Sequence, residues 1–520
     1  MTGVGEGEGL STRPRRPPLT PFSRVVGWLA AHDPTTHADG DPTTLVTGLT
    51  LSSKRVWPGD LYAALPGAFA HGIEYAADAV AAGAVAVLTD PVGAAQLPPR
   101  VPVAVVEQPR RLLGGLAARI YGNPARSMRM IGVTGTQGKT TTTRLAESGM
   151  QRAGIAAAAV GTVGTRIGGV DVATSLTTPE APDLHGLFAV MKEQRTRACA
   201  MEVSSHALVL GRVDGVVFDV AVFLNLGRDH LDFHDDVEDY FQAKASLFTP
   251  ERARRALVNI DDEHGRRLAS EITMRNEIPL ETFSTSTQGD ADWSVSDVRL
   301  GPSRSDFVVH GPMGGVTVPA GCPMPGEVNV ANTLAAIAAC ADAGLDVEAV
   351  AAGIASSDGV PGRFERVEAG QRFTVVVDYA HKPDAVEAAL RTLRPLTEGE
   401  LIIVLGAGGD RDPGKRQIMG EIAAGLADVL IVTDDNPRRE DPAQIRRAML
   451  LGARRVRGKR VMEIGDRGEA IAMALRLAHP DDIVLIAGKG HETGQEIDGT
   501  VHPFDDRDVA RRVLRGMPSR

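Results

Sequence analysis

Residues Met130 to Thr142 read Met-Ile-Gly-Val-Thr-Gly-Thr-Gln-Gly-Lys-Thr-Thr-Thr, an apolar strand, a glycine-rich turn and a helix starting near Lys139. Gly135 and Gly138 let the backbone turn so that successive N–H groups face an anion, and the helix N-terminus adds its positive end. Lys139 is placed to reach terminal phosphates and the Thr140 hydroxyl to ligate Mg²⁺, while Thr136, Gln137 and Thr141 supply loop and helix-start donors. The strict pattern G-x-x-x-x-G-K-[ST] is not met, because Val133 stands at the first glycine position and the glycine lies one earlier, at Gly132. The chemistry expected is nucleotide phosphate binding, which by itself does not separate kinase, ATPase and ligase.

Two further segments carry metal-binding chemistry. Glu202 ends an apolar run and opens Glu202-Val-Ser-Ser-His206, and Asn225-Leu-Gly-Arg-Asp-His230 follows another run. A carboxylate and an imidazole at neighbouring strand ends suit a divalent ion lying over phosphates, although each residue alone also reads as a salt bridge or a solvated loop charge. Tyr240, Lys244 and Phe248 share one helical face at i, i+4 spacing. From that pattern Lys244 is expected at the surface, with loss of its charge by burial or modification as the other option.

The elements that must position these groups form three successive α/β blocks after a loose tail at residues 1–20. The first, residues 21–108, has strands at Asp60–Leu65, Ala84–Leu88 and Val101–Val106 and a helix at Tyr75–Ala82. The second, residues 109–358, has a helix at Arg110–Ile120 and strands at Met130–Val133, Ala198–Val203, Val216–Leu224 and Ala256–Ile260. The third, residues 359–520, alternates strands at Phe373–Asp378, Leu401–Leu405, Val429–Thr433, Val461–Ile464 and Ile483–Ala487 with helical stretches. That alternation predicts a mostly parallel, Rossmann-like sheet with ligands beyond the carboxyl ends of its strands. Four polar clusters fall there: Asp378–His381, Gly408–Arg411, Asp434–Arg438 and Gly488–Glu492. Gly406-Ala-Gly-Gly is not a dinucleotide fingerprint, since the last glycine of G-x-G-x-x-G would fall at Arg411.

Composition narrows the class. Of 520 residues, 43% are hydrophobic and 23% charged, as expected of a soluble globular chain. The formal net charge of −10 opposes a nucleic-acid coat. Cys199, Cys322 and Cys340 lack the spacing of a disulfide framework or zinc site and suit a reducing cytoplasm. The N-terminal segment has no apolar signal-peptide core, and no run of 18 or more apolar residues suggests a membrane span.

Taken together, Thr134-Gly-Thr-Gln-Gly-Lys-Thr140, Glu202-Val-Ser-Ser-His206, Asn225-Leu-Gly-Arg-Asp-His230 and Tyr240…Lys244 resemble the Mur ligase family. Thr177-Thr-Pro179, Gly406-Ala-Gly-Gly-Asp-Arg-Asp412, Asp435-Asn-Pro-Arg438 and Gly488-Lys-Gly-His-Glu492 resemble the branch that adds a diamino acid. The likeness runs over nearly the whole chain after the tail. It implies a UDP-binding domain, a central ATP-binding domain and an amino-acid-binding Rossmann-like domain. It also implies ATP-driven conversion of the D-glutamate carboxylate of UDP-MurNAc-L-Ala-D-Glu to an acyl phosphate. The amine of 2,6-diaminopimelate, expected in its meso form, then attacks.

The resemblance assigns residues as follows. Lys139 and Thr140 serve phosphates and Mg²⁺, Glu202 and His230 bind the metal, and Lys244 joins them as a carbamate. Ser53, Thr177, Thr178, Ser204 and Arg212 hold the muramyl dipeptide. Asn329, Asn332, Arg363 and His381 approach the nucleotide. Arg411, Asp435, Asn436, Pro437, Arg438, Gly488 and Glu492 hold diaminopimelate, with Arg438's planar fork suited to the distal carboxylate that lysine lacks. Ser52-Ser53-Lys54 departs from the family's usual Asp-Ser-Arg at the flanking positions, and Ala407 replaces a cysteine found in some members. The remaining alternatives are lysine as acceptor, a folylpolyglutamate-type ligase, and an ATP-driven switch that ligates nothing. A monomer in the cytoplasm, without nucleic-acid or membrane partners, is expected.

Overall fold

A computed structural model describes residues 11–67, 69–97, 101–174, 176–227, 229–230, 232–286 and 290–517. The chain divides into two compact units. One comprises 1–294, 310–316 and 334–353, and the other comprises 295–309, 317–333 and 354–520.

Among the described residues the first unit holds a two-stranded pairing of Thr20–Pro21 with Leu45–Val46 and two larger sheets. Strands β1 (His37–Asp39), β2 (Gly48–Thr50), β3 (Asp60–Ala63), β4 (Ala86–Thr89) and β5 (Val103–Val105) form the smaller one, ordered β1-β5-β4-β3-β2. The helix expected at Tyr75–Ala82 runs over Ala76–Ala81 and is preceded by a 3₁₀ turn at Gly72–Tyr75. His71 caps the start of that turn, its Nδ1 accepting the Ile73 N–H at 3.1 Å.

The residues expected to be a loose tail are fixed from Arg13 onward. Arg13 is only 6% exposed, and its guanidinium donates to Asp60 Oδ1 at 3.0 Å and to the Tyr121 hydroxyl at 2.7 Å. The Arg15 and Arg16 N–H groups donate to the Glu193 carboxylate. Proline, glycine and charge content reads as disorder, but a buried cation meeting a buried carboxylate overrides it.

The larger sheet of this unit contains β6 (Arg129–Thr134), β7 (Ala157–Gly161), β8 (Gly164–Ile167), β9 (Val170–Val172), β10 (Ala198–Glu202), β11 (Val220–Phe223), β12 (Ala256–Asn259) and β13 (Leu280–Phe283). Their order is β9-β8-β7-β10-β6-β11-β12-β13. Strand β6 therefore lies between β10 and β11, both parallel to it, with Glu202 opposite Val133 and Phe223 opposite Thr134. That register brings the phosphate loop, Glu202 and the Asn225 segment to one edge. The strand expected from Val216 starts only at Val220, since Phe218 N–H bonds Arg252 O and Asp219 takes the Met130 N–H.

The second unit carries a six-stranded sheet of β14 (Glu365–Arg366), β15 (Thr374–Asp378), β16 (Leu401–Leu405), β17 (Val429–Val432), β18 (Arg460–Glu463) and β19 (Ile483–Ala487). Their order is β14-β15-β19-β16-β17-β18, all parallel except β14. Apolar runs such as Leu401-Ile-Ile-Val-Leu405 form central strands because both faces are covered. Leu401, Ile403 and Leu405 enter one core with Val386, Met419 and Met449, while Ile402 and Val404 enter the other with Ile471, Ala510 and Leu514. This fits the expectation of a mostly parallel α/β sheet. Among the described residues no helix is long and apolar enough to cross a membrane.

Candidate active site

The phosphate loop is the turn between β6 and the helix Lys139–Arg152. Gly135 and Gly138 have φ of +155° and +86°, a backbone that a side chain would strain. Gly132 is not part of the turn. It lies within β6, where an added Cβ would stand 2.8 Å from the Phe218 ring. Lys139 Nζ donates to Gly135 O at 2.7 Å and to Thr136 O at 3.0 Å.

Asn225 braces this loop, a role the sequence pattern does not reveal. Its Oδ1 accepts the Thr136 and Gln137 N–H groups at 3.1 and 2.9 Å, and its Nδ2 donates to Gln137 O at 3.2 Å. A position just past an apolar run is the available signal, but nothing local says which loop the amide meets.

Lys244 corrects the surface expectation. It is 1% exposed, on the helix Val237–Ala245, with Nζ donating to Gly135 O at 3.0 Å and lying 4.4 Å from the Tyr240 ring centroid. Burial first, then the Lys139 cation, holds its amine well below the usual lysine range, against the opposing pull of Asp229. The Tyr240 hydroxyl meets Thr136 Oγ1 at 3.2 Å, and burial pushes its pKa up to about 12.

Glu202 Oε1 accepts the Thr162 N–H at 2.8 Å and Oε2 accepts the Thr162 hydroxyl at 3.1 Å. Thr162 Oγ1 meets Thr177 Oγ1 at 3.0 Å. Thr178 Oγ1 donates to Glu202 O at 2.8 Å and receives the Ser204 N–H at 3.2 Å, and Arg212 Nη1 donates to Thr178 O at 3.3 Å. Thr177, Thr178, Ser204 and Arg212 thus gather beside Glu202, with Arg212 held by Glu180 at 2.9 Å. Ser53 lies on a separate 3₁₀ turn, Ser53–Arg55. His230 has a left-handed backbone (φ +55°) and packs edge-on to His206 at 4.8 Å between ring centroids.

The donor set discriminates between metals. Among the described residues no group of three or more His, Cys, Asp or Glu side chains is gathered as a metal cage. The donors that the resemblance assigns, the Glu202 carboxylate, the His230 imidazole and the Thr140 hydroxyl, would suit Mg²⁺, which takes few protein ligands and completes its shell with phosphate oxygens and water. They do not suit a zinc or calcium cage.

In the second unit, Asn329 Nδ2 donates to Pro325 O at 2.7 Å and Asn332 Nδ2 to Asn329 Oδ1 at 3.3 Å. The Arg363 guanidinium lies 4.8 Å from the Tyr379 ring centroid. His381 Nδ1 meets Tyr379 O at 2.7 Å, and burial lowers its pKa. Beyond the same sheet edge, Asn436 Nδ2 donates to Glu492 Oε2 at 2.9 Å. Lys489 is wholly buried and donates to both Asn436 Oδ1 and Glu492 Oε2. A Cβ on Gly488 would stand 2.5 Å from Asp435 Oδ2. Arg438 (φ +53°) donates from Nε to Glu496 Oε2 at 3.2 Å and from Nη1 to Gly409 O at 2.6 Å. A Cβ on Gly408 would meet Arg438 Nη1 at 3.1 Å and Arg411 Cγ at 3.9 Å. Arg411, Asp435, Asn436, Arg438, Gly488 and Glu492 therefore surround one region, with Pro437 in the turn between. Lys489 lies within the Gly488–Glu492 cluster, whereas Glu496 escapes a sequence reading, since it lies on the hairpin strand Gly494–Ile497, 58 residues from Arg438.

Family models match in the order of the motifs. They are "Mur ligase family, catalytic domain" at 45–121, "Mur ligase middle domain" at 133–340 and "Mur ligase, glutamate ligase domain" at 362–490. A curated protein of Streptomyces coelicolor, named UDP-N-acetylmuramoyl-L-alanyl-D-glutamate--2,6-diaminopimelate ligase, is 52% identical over 97% of this chain and 98% of its own length. The chain belongs to the Mur ligase family. A Corynebacterium glutamicum relative of the same name is 46% identical over 92% of this chain and 93% of its own. A solved Mur ligase structure titled with that ligase name is 33% identical, with a TM-score of 0.68 over 96% of this chain and 99% of that one. A folylpolyglutamate synthase from Thermotoga maritima, 16% identical with a TM-score of 0.56 over 72% of this chain and 89% of its own, shares the fold alone. As a Mur ligase, the chain is an ATP-dependent ligase.

Proposed function

We propose that this enzyme joins 2,6-diaminopimelate to the D-Glu carboxylate of UDP-MurNAc-L-Ala-D-Glu, forming ADP and phosphate in peptidoglycan precursor synthesis. The observation that carries the reading is the gathering of Arg411, Asp435, Asn436, Arg438 and Glu492 beyond the strand ends of a sheet in a chain whose relatives bear that ligase's name. A carboxylate is a poor electrophile, and transfer of the terminal phosphoryl group to one of its oxygens supplies a leaving group. The acceptor amine then adds to the acyl carbon, and the tetrahedral species collapses to amide and phosphate.

The chain's residues bind, orient and neutralise. The Gly135–Thr141 backbone and Lys139 cradle the phosphates, and Asn329, Arg363 and His381 hold the nucleotide. Thr177, Thr178, Ser204 and Arg212 hold the dipeptide beside Glu202, with Ser53 on the UDP side. Thr140, Glu202, His230 and Lys244 as a carbamate would hold Mg²⁺, whose bound form offsets phosphate charge. Burial supports the carbamate: a neutral amine adds to the carbon of CO₂ and loses a proton, turning a cation into an anionic oxygen ligand. Asp435 and Glu492 offer anions to an acceptor ammonium, and Arg438 and Arg411 offer cations to its carboxylates. We place the enzyme in the cytoplasm as a monomer, where its UDP-linked substrate and ATP are made.

The test is dipeptide substrate labelled with ¹⁸O in the D-Glu side carboxylate. One label per turnover appears in the released phosphate, whereas unlabelled phosphate with amide formed would rule out the acyl phosphate.

A further inference from the structure

His234 joins three segments by two hydrogen bonds. Its Nε2 lies 2.9 Å from Ser205 Oγ and its Nδ1 lies 2.8 Å from Asp239 Oδ2. Ser205 stands three residues after Glu202, at the start of the helix Ser205–Val209. Asp239 stands in the first turn of the helix Val237–Ala245, which carries Lys244 five residues on. His234 itself belongs to the loop that carries His230, and its side chain is 1% exposed.

The chemistry fixes most of the protons. Asp239 Oδ2 accepts, so Nδ1 carries the hydrogen, and in the neutral ring Nε2 is left to accept the Ser205 hydroxyl proton. Serine, histidine and aspartate in this order match a hydrolytic relay in form only. Ser205 is 1% exposed, so no substrate atom reaches its oxygen. The trio holds position.

Ring contacts reinforce the tie. Phe233 stacks on His206 at 3.9 Å between centroids, and His234 lies 5.0 Å from the Tyr240 ring. Tyr240 in turn covers Lys244 Nζ and meets Thr136 of the phosphate loop. One buried imidazole is therefore bonded to the backbone segment of Glu202 and to the helix of Lys244, from the loop of His230.

We propose that His234 is a positioning residue that sets the spacing of the Glu202, His230 and Lys244 segments and so tunes Mg²⁺ affinity. This rests on the metal-centre reading above. Outer groups that orient metal-bearing segments typically change metal affinity by about 10- to 100-fold when removed.

The test compares His234→Ala, which removes both bonds, with His234→Asn and His234→Gln, which each keep one polar arm. Three quantities are read on the full-length enzyme: Mg²⁺ half-saturation, diaminopimelate KM, and the ¹³C-carbamate resonance after labelling with bicarbonate. His234→Ala is expected to raise Mg²⁺ half-saturation about tenfold or more and weaken the carbamate signal, with diaminopimelate KM moved less than about twofold. The single-arm variants fall between. Unchanged Mg²⁺ half-saturation, or a rise of every constant together with a lower Tm, would overturn the proposal. Glu202→Gln separates the two levels. If it shifts Mg²⁺ dependence and His234→Ala does not, the clamp alone is wrong; if neither shifts it, the metal-centre reading fails.

Discussion

Lys244 Nζ donates to the carbonyl oxygen of Gly135 at 3.0 Å, so the only amine on its helix is tied to the turn of the phosphate loop. Lys139 donates to the same oxygen at 2.7 Å. Two ammonium groups on one carbonyl repel, which is one reason Lys244 holds its proton weakly. Lys244→Ala is expected to lower kcat on the order of 10²-fold and to abolish the ¹³C-carbamate resonance. Retention of full activity without that resonance would mean the lysine is only a packing residue.

Asn225 makes three hydrogen bonds to the loop through one side chain. Asn225→Ala leaves the Gln137 N–H without its acceptor, since the Thr136 N–H keeps the Asn225 backbone carbonyl at 3.0 Å, a loss of about 1–3 kcal/mol. ATP affinity should fall roughly tenfold, by nucleotide titration, while diaminopimelate KM is unaffected. An unchanged ATP affinity would show that the loop holds its shape unaided.

Arg438 is held by Glu496 and by the Gly409 carbonyl, which fixes the plane of its guanidinium. Arg438→Ala is expected to weaken diaminopimelate binding at least ~10-fold with ATP affinity preserved, as read by calorimetry. Arg438→Lys should restore little, since a point charge lacks the fork. Equal loss of ATP and diaminopimelate affinity would mean the arginine is structural.

These residues show how far the sequence reaches. The phosphate loop and the third sheet are legible because strand, turn and helix chemistry agree locally over a dozen residues. Lys244 is not, because i, i+4 spacing identifies a face without saying what covers it, and here the phosphate loop does. Arg13 eludes the sequence for the same reason: its carboxylate partner Asp60 lies 47 residues away. Asn225, Glu496 and His234 act on segments that only the fold brings near. Gly132 reads as a displaced loop glycine, whereas the Phe218 ring accounts for it.

Asp342 gives a pH test of the fold. Burial, followed by the adjoining Glu281 carboxylate, raises its pKa to about 8 from an ordinary 3.8. Between those values the folded state binds more protons than the unfolded state, so stability falls as pH rises through the window. Asp342→Asn should therefore raise Tm at pH 8 to 9 and change it little near pH 4. An equal Tm change at both pH values would show that this carboxyl does not titrate in that range.

The most direct test of the central claim is a mass-resolved ligation assay with UDP-MurNAc-L-Ala-D-Glu, ATP and either diaminopimelate or lysine. Product heavier by one diaminopimelate less one water, with one phosphate released per amide, is the predicted result. Ligation of lysine with none of diaminopimelate, or phosphate release without any amide, would contradict it.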